Sequence, residues 1–138
     1  MAREDKLKAQ TALLRRAVER LEVALSRPKD EFVRDSAIQR FEFCFELAWK
    51  VLQTYLEREG LEARSPRSSI RAAFQVGLLP DDAQWLEMLE LRNLTSHTDD
   101  EALAEKIYCA LPGALQRLQD LLHRLETQGL APGNSQPA

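Results

Sequence analysis

The stretch of sequence that decides the fold is residues 35–59, which read DSAIQRFEFCFELAWKVLQTYLERE. One set of its apolar residues recurs at alternating steps of three and four, the spacing of one helix face: Ile38, Phe41, Phe45, Ala48, Leu52 and Tyr55. A second row lies beside this stripe, at Ala37, Cys44 and Val51. Together the rows cover more than half of the circumference, whereas a surface helix needs a stripe only ~100° wide. We therefore expect a helix at the centre of the fold, buried within its own bundle or also against a second protomer in a dimer.

Two more long helices are expected on either side of this central one. Periodic leucines predict the first from about Lys6 to Ser26. Thr98, followed three residues later by Glu101, has the pattern of a capping box and predicts the start of a helix that ends near Gln128. Pro112 is expected to kink that helix, because proline lacks the backbone donor and crowds the preceding turn.

Two short helices are expected between residues 65 and 97. Ser65 as N-cap and Pro66 as the first helical residue begin one that closes at Gly77. Its predicted inner face consists of Ile70, Ala73 and Phe74. Asp81 or Asp82 caps the second, which ends near residues 93–97. Its predicted packing residues are Trp85, Leu86, Met88, Leu89 and Leu91.

The composition fits a single small domain. The chain has 138 residues, only 5 glycines and no strand pattern, so we expect an all-α, up-and-down antiparallel bundle over residues 1–128. Residues 129–138 have the composition of a disordered tail. No signal peptide and no apolar run of the ~20 residues that span a membrane is visible, so a cytoplasmic location is expected.

Few residues are available for a metal site or a disulfide. The two cysteines, Cys44 and Cys109, lie in apolar helical patterns and are expected to be buried, reduced side chains. With no C-x-x-C pair and only 2 histidines, we expect no metal site. The net charge of -3 argues against a general nucleic-acid coat, although local basic patches for RNA or a nucleotide remain open.

The segment with the most chemistry is residues 92–97, RNLTSH, at the end of a predicted helix. An arginine can hold a phosphate by two hydrogen bonds, and a histidine can exchange a proton with a ribose hydroxyl. On an ideal helix, however, Arg92 and His97 would point about 140° apart. They can meet only if the helix loosens or if a second protomer supplies one of them. The plainer interpretation is that Arg92 pairs with a carboxylate and His97 caps the helix.

Two further clusters could support such a site. Glu42 and Glu46 lie one turn apart on the central helix and are expected to orient Arg92 or Arg71 from a neighbouring helix, rather than act as an acid and base pair. Arg67 and Arg71 share a face at the helix start that begins with Ser65, which is a candidate phosphate site. A capped and solvated helix start explains the same residues.

Three blocks, in this order, carry a resemblance to a known family. They are residues 41–50 (FEFCFELAWK), residues 65–74 (SPRSSIRAAF), and residues 85–98, which contain RNLTSHT. Over about residues 5–127 the chain resembles the nucleotidyltransferase substrate-binding proteins of the HEPN superfamily.

The resemblance implies a dimeric helical bundle that works beside a separately encoded minimal nucleotidyltransferase. Many HEPN proteins are metal-independent ribonuclease toxins with an Arg-x4-His motif, and Arg92 and His97 match it. It implies catalytic roles for Arg92, His97 and Asn93, no cofactor, and RNA or a nucleotide as the ligand. The alternative is a non-catalytic subunit in which Arg67, Arg71 and Arg92 bind a substrate phosphate.

One position departs from the toxin–antitoxin branch of that family. There the motif often continues to Arg-x4-His-x-Tyr, and the partner adenylylates the tyrosine, whereas this chain has Asp99. A carboxylate has no phenolic oxygen to modify. Either the protein is restrained by complex formation alone, or it is a substrate-binding subunit.

Overall fold

The computed structural model describes residues 2–130, which form five α-helices and one short 3-10 turn. The helices are α1 (Ala2–Ser26), α2 (Glu31–Arg58), α3 (Pro66–Gln75), α4 (Ala83–Leu94) and α5 (Glu101–Thr127), and the 3-10 turn is Thr95–His97. No strand occurs between residues 2 and 130. The predicted all-α bundle of three long and two short helices is therefore confirmed.

Helix α2 is the centre of the bundle and packs against each of the other four helices. Phe41, Cys44, Phe45 and Val51 are all fully buried within this one chain. The broad apolar surface of α2 is thus covered by α1, α3, α4 and α5. It does not by itself require a second protomer, so the dimer needs a different argument.

Helix α2 starts four residues earlier than the sequence pattern predicts. Asp30 is the N-cap, and its Oδ1 accepts a hydrogen bond of 2.7 Å from the backbone N–H of Val33. The prediction of a start at Asp35 was wrong because the first turn, which contains the exposed Phe32, does not follow the apolar stripe. Helix α1 likewise begins at Ala2, ahead of the predicted Lys6.

Helix α3 begins as predicted and buries fewer residues than predicted. Ser65 and Ser68 form a reciprocal capping box, with both hydrogen bonds at 3.1 Å. Phe74, predicted on the inner face, is 41% exposed. Gly77, at φ +87°, turns the chain after the helix, and Leu78 and Leu79, which follow it, are buried in the core.

Helix α5 is capped by Asp100, whose Oδ1 accepts from the backbone N–H of Leu103 at 3.1 Å. The predicted cap at Thr98 was wrong, because a turn closed by a hydrogen bond from Asp100 N to His97 O uses the residues between them. The helix runs without a break through Pro112 to Thr127.

The chain remains packed for three residues beyond α5. Gly129, at φ +75°, lets the N–H of Leu130 reach the carbonyl of Leu125 at 2.9 Å. The Leu130 side chain is fully buried. The rest of the expected tail, residues 131–138, lies outside the described residues.

The two cysteines differ in their burial. Cys44 is buried, and burial raises the pKa of its thiol to about 12. Cys109 is exposed, so the expectation that both cysteines are buried was wrong for this one.

None of the helices within residues 2–130 combines the length and the apolar character needed to cross a membrane.

Candidate functional site

Arg92, near the end of α4, is held against the central helix by two contacts. Its Nη1 donates a hydrogen bond to Glu46 Oε2, and the guanidinium lies 5.6 Å from the ring centre of Phe45. The ring face attracts the cation, and the carboxylate fixes its orientation. The expectation that Glu46 reaches an arginine on a neighbouring helix is met by this contact.

Glu46 is itself oriented by a second donor. Trp49 Nε1 donates to Glu46 Oε1 at 3.2 Å, from one turn further along α2. Each carboxylate oxygen of Glu46 therefore has its own donor. Among residues 2–130, Arg92 Nη2 makes no hydrogen bond, and Nε is buried without a partner, while the side chain as a whole is 23% exposed.

His97 lies at the end of the 3-10 turn and is exposed. Helix α4 does loosen after Leu94, as the sequence required if Arg92 and His97 were to meet. At three residues per turn, however, the 3-10 segment places the two side chains roughly 160° apart. Arg92 contacts Glu46 and Phe45 of α2 while His97 is exposed, and no hydrogen bond among residues 2–130 joins the two side chains.

The turn between these two residues is held by local hydrogen bonds. Thr95 is buried, and its Oγ1 donates to the carbonyl of Arg92 at 2.7 Å. Asn93 is exposed, one residue after Arg92. This hydrogen bond helps to hold the turn that positions His97 after α4. Both Asn93 and His97 are exposed and therefore accessible to a ligand.

The other residues predicted for the site form no ion pair or side-chain hydrogen bond with Arg92 among residues 2–130: Glu42, Ser65, Arg67 and Arg71. Glu42 is partly buried, and neither Arg67 nor Arg71 forms an ion pair within residues 2–130. Both arginines are exposed. The Ser65 hydroxyl is used in the helix cap, which argues for a structural role there. No ion pair or side-chain hydrogen bond among the described residues joins this helix start to Arg92 or His97.

The sequence interpretation missed Arg34, the most buried cation near the motif, whose side chain is only 4% exposed. Its Nη1 donates to Glu101 Oε1 at 2.8 Å and to Glu105 Oε2 at 3.0 Å. Arg34 falls four residues before Ile38 on the inner stripe of α2, which is the signal that could have identified it. These two ion pairs connect the start of α5, which follows residues 92–97, to the central helix.

These contacts make stability depend on pH. The hydrogen bond from Arg34 holds the pKa of Glu101 below its ordinary value of 4.5. Because the folded pKa is the lower one, the pair stabilises the fold above pH 4.5 and loses that contribution as the pH falls through the folded value. Glu101→Gln is therefore expected to unfold at lower urea than the wild type at neutral pH, with the difference disappearing in acid.

Glu90→Gln, at an exposed α4 residue with no ion pair among residues 2–130, is the matched control for this urea series. It should match the wild type at every pH. A Glu101→Gln deficit that persists unchanged in acid would mean that the pair is not its cause.

The described residues also bear on metal binding. Between residues 2 and 130, no three histidine, cysteine, aspartate or glutamate side chains are grouped so that they could hold a metal ion. The motif itself offers a ligand the guanidinium of Arg92, the amide of Asn93, the hydroxyl of Ser96 and the imidazole of His97.

Comparison with known proteins gives this arrangement a context. Residues 5–127 match the family described as nucleotidyltransferase substrate binding protein like. A Haemophilus influenzae protein named "Probable ribonuclease HepT" is 32% identical over 94 residues, which is 64% of this chain and 64% of that protein. The aligned part of the chain thus spans just under two thirds of that relative's length.

Two solved structures share the fold. One, from Thermus thermophilus, is 42% identical with a TM-score of 0.77, covering 81% of this chain and 98% of that one. The other, from Haemophilus influenzae, was described as revealing the fold of a substrate binding domain of a nucleotidyltransferase. It is 26% identical with a TM-score of 0.67, covering 89% of this chain and 98% of that one.

Proposed function

This chain belongs to the nucleotidyltransferase substrate binding protein like family, and on that premise we propose that it is a HEPN-type RNA endonuclease. It works in complex with a separately encoded minimal nucleotidyltransferase, as part of a toxin–antitoxin-like module. The proposal is supported by the Arg-x4-His spacing of Arg92 and His97 and by the name of the Haemophilus influenzae relative.

The observation that carries this proposal is the way Arg92 is held. Glu46 and Phe45 fix the guanidinium and leave Nη2 able to bind a non-bridging oxygen of the scissile phosphate. We assign to Asn93, the exposed next residue, the role of orienting the phosphate or the imidazole. Arg92 thus supplies positive charge where negative charge develops during cleavage.

The chemistry assigned to His97 is proton transfer. As a base, it removes the proton from the ribose 2′-hydroxyl, and the 2′-oxygen then attacks the adjacent phosphorus atom. The bond from phosphorus to the 5′-oxygen breaks, and that oxygen takes the proton that the His97 imidazolium carries, which returns His97 to its neutral form. The products are a 2′,3′-cyclic phosphate and a 5′-hydroxyl, and no metal takes part in the scheme.

The separation of Arg92 and His97 within one chain supports a homodimer in which each site takes Arg92 from one protomer and His97 from its partner. Phe43, which is 59% exposed, lies on α2 three residues before Glu46. An exposed phenylalanine this close to the Arg92 contact is a suitable centre for such an interface. Phe41 and Cys44, whose rows in the sequence suggested a second protomer, are buried in the monomer and are not available for this interface.

Phe43→Glu is expected to convert the dimer to a monomer, because two carboxylates would face each other across the two-fold axis. Light scattering at micromolar protein concentration measures this directly, and RNA cleavage should fall in parallel. Leu13→Glu, at an exposed apolar residue on α1, is the matched control and should leave the mass unchanged. A wild-type protein that is monomeric at that concentration would contradict the proposal.

Asp99 bears on how the nuclease is restrained. It is exposed at the position where the toxin–antitoxin branch often has its adenylylated tyrosine. We assign the restraint to complex formation with the nucleotidyltransferase. Incubating the co-expressed complex with ATP should leave Asp99 unmodified, and a stable adenylyl group mapped there by mass spectrometry would refute this.

The experiment that tests the nuclease is an RNA cleavage assay in EDTA. The purified protein should cut single-stranded RNA, and the new ends should carry a 2′,3′-cyclic phosphate. Activity that appears only with added divalent metal would contradict the mechanism.

The second candidate function is a non-catalytic nucleotide- or substrate-binding subunit of a two-component nucleotidyltransferase. It is favoured by the exposed Arg67 and Arg71, which share one face of α3 and have no carboxylate partner within residues 2–130. No cleavage in EDTA, together with nucleotide binding that Arg92→Ala abolishes, would establish this function in place of the nuclease.

A further inference from the structure

A groove outside the Arg92 site lies where the C-terminal part of α1 meets the start of α2. Its volume is about 440 Å³. Its lining combines three arginines and one carboxylate, Asp30, with a hydroxyl and apolar side chains: Arg20, Arg27, Arg40, Ser36, Val23, Ala24, Phe32 and Val33. Neither the motif nor the contacts of Arg92 explain this combination.

The three arginines of the groove differ from most others in the chain. None of them forms an ion pair with a residue between 2 and 130, and Arg40 Nε donates to a hydroxyl, Ser36 Oγ, at 3.2 Å. Six other arginines do have a carboxylate partner: Arg15, Arg34, Arg58, Arg64, Arg92 and Arg124. Asp30 also lines the hollow, where its Oδ1 accepts from the backbone N–H of Val33, so three unpaired arginines and one carboxylate leave a net positive charge in a chain of net charge -3.

The apolar part of the groove is unusually open. Phe32 is 81% exposed, more than any other large apolar residue in the described part of the chain. Aromatic rings left open beside arginines are the combination that proteins use to stack unpaired bases while binding the adjoining phosphates. The exposed ring of Phe32 beside the three arginines therefore favours a single-stranded nucleic acid as the ligand of this groove.

The groove also leads toward the Arg92 site. Ser36, Gln39, Arg40 and Phe43 line a shallow hollow that continues along the same exposed face of α2. From Phe32 to Glu46 the helix rises about 21 Å, at 1.5 Å per residue. A short strand lying on this face would run from the groove to the edge of the proposed dimer interface at Phe43, next to the residues that hold Arg92.

We propose that this groove binds the single-stranded RNA substrate on one side of the cleavage site, with Phe32 stacking a base and Arg20, Arg27 and Arg40 binding phosphates. The inference rests on the proposed nuclease function and adds its substrate-binding path. The residues are separate from those assigned to cleavage, so binding and cleavage can be measured independently.

The test measures binding of fluorescein-labelled oligouridine RNA by fluorescence anisotropy, with His97→Ala as the parent protein so that the strand stays intact. Adding Phe32→Ala should weaken binding by about fivefold to 160-fold, the range for loss of one base stack. Adding Arg27→Ala should also reduce the slope of log affinity against log salt by about 0.7, the value for one phosphate contact on a single strand. Phe32→Ala should leave that slope unchanged.

The matched controls lie on α1 outside the groove. Arg16→Ala removes an exposed arginine, and Leu13→Ala removes an exposed apolar side chain. Both should bind RNA like the parent protein. If the groove variants bind RNA no more weakly than these controls, the proposal is wrong. If they alter the mass measured by light scattering but not RNA affinity, the groove is a protein-binding surface, which also overturns it.

The two proposals fail in different ways. Cleavage by the wild type, with no effect of the groove variants on affinity, would retain the nuclease and remove the groove. RNA binding that depends on Phe32 and Arg27, with no cleavage by the wild type, would retain the groove and remove the nuclease.

Discussion

Replacing His97 with alanine is expected to slow RNA cleavage by about 10²–10⁴-fold, the usual contribution of one general acid or base. His97 is exposed at the end of the 3-10 turn, so its removal should leave the fold intact. The rate is measured under single-turnover conditions in EDTA, with circular dichroism to verify helix content.

His123→Ala is the matched control for that experiment, because His123 is the other histidine of the chain and is also exposed, on α5. It should cleave at the wild-type rate. Equal rates for His97→Ala and His123→Ala would remove His97 from the mechanism.

The same assay examines the role of Arg92. Arg92→Lys keeps the charge but loses the planar pair of donors that can contact Glu46 and a phosphate together. We therefore expect cleavage to fall although the charge is preserved. A fully active Arg92→Lys protein would mean that only the charge matters.

The second large effect is on stability. Phe45→Ala is expected to lower the free energy of unfolding by about 3–5 kcal/mol, the range for removing a buried phenylalanine. Phe45 is fully buried, with its ring 6.3 Å from that of Phe41 and 6.5 Å from that of Trp85. Its loss also removes the ring beneath the guanidinium of Arg92.

Urea unfolding measures this effect, and Phe32→Ala on the same helix is the control. Phe32 is exposed, so its truncation should change the free energy of unfolding by no more than about 0.5 kcal/mol. Similar losses for the two variants would show that burial in the monomer is not what distinguishes them.

The features that the sequence predicted well are those that repeat along a helix. Ile38, Phe41 and Phe45 recur at helical spacing, and burial against four neighbouring helices follows from the width of that apolar surface. The contact between Arg92 and Glu46 was also predictable, since a partly buried arginine needs a carboxylate and the central helix offers one.

Helix ends were harder to predict, because several polar residues compete for each cap. Thr98 and Asp100 can both cap α5, and the preceding turn at His97 decides between them. Asp30 lies upstream of the apolar stripe that marks α2, so the stripe alone misplaces the start. These choices depend on hydrogen bonds that close only in the folded chain.

The relative position of Arg92 and His97 could not be predicted from their spacing, for a similar reason. Their spacing specifies an angle on an ideal helix, but the 3-10 turn at Thr95–His97 changes that angle. Arg34 illustrates the long-range part of the problem, because its partners Glu101 and Glu105 lie far along the chain. Residue spacing cannot reveal such pairings.

The burial of Leu130 determines how the chain can be shortened or fused. Since its side chain fills part of the core beyond the end of α5, a fragment ended at the last helical residue would lose a core leucine. Truncating such a residue costs about 2–5 kcal/mol. That is a large share of the roughly 5–15 kcal/mol that stabilises a typical domain. Linkers and affinity tags should therefore be joined after Leu130, with Gly129 left unchanged.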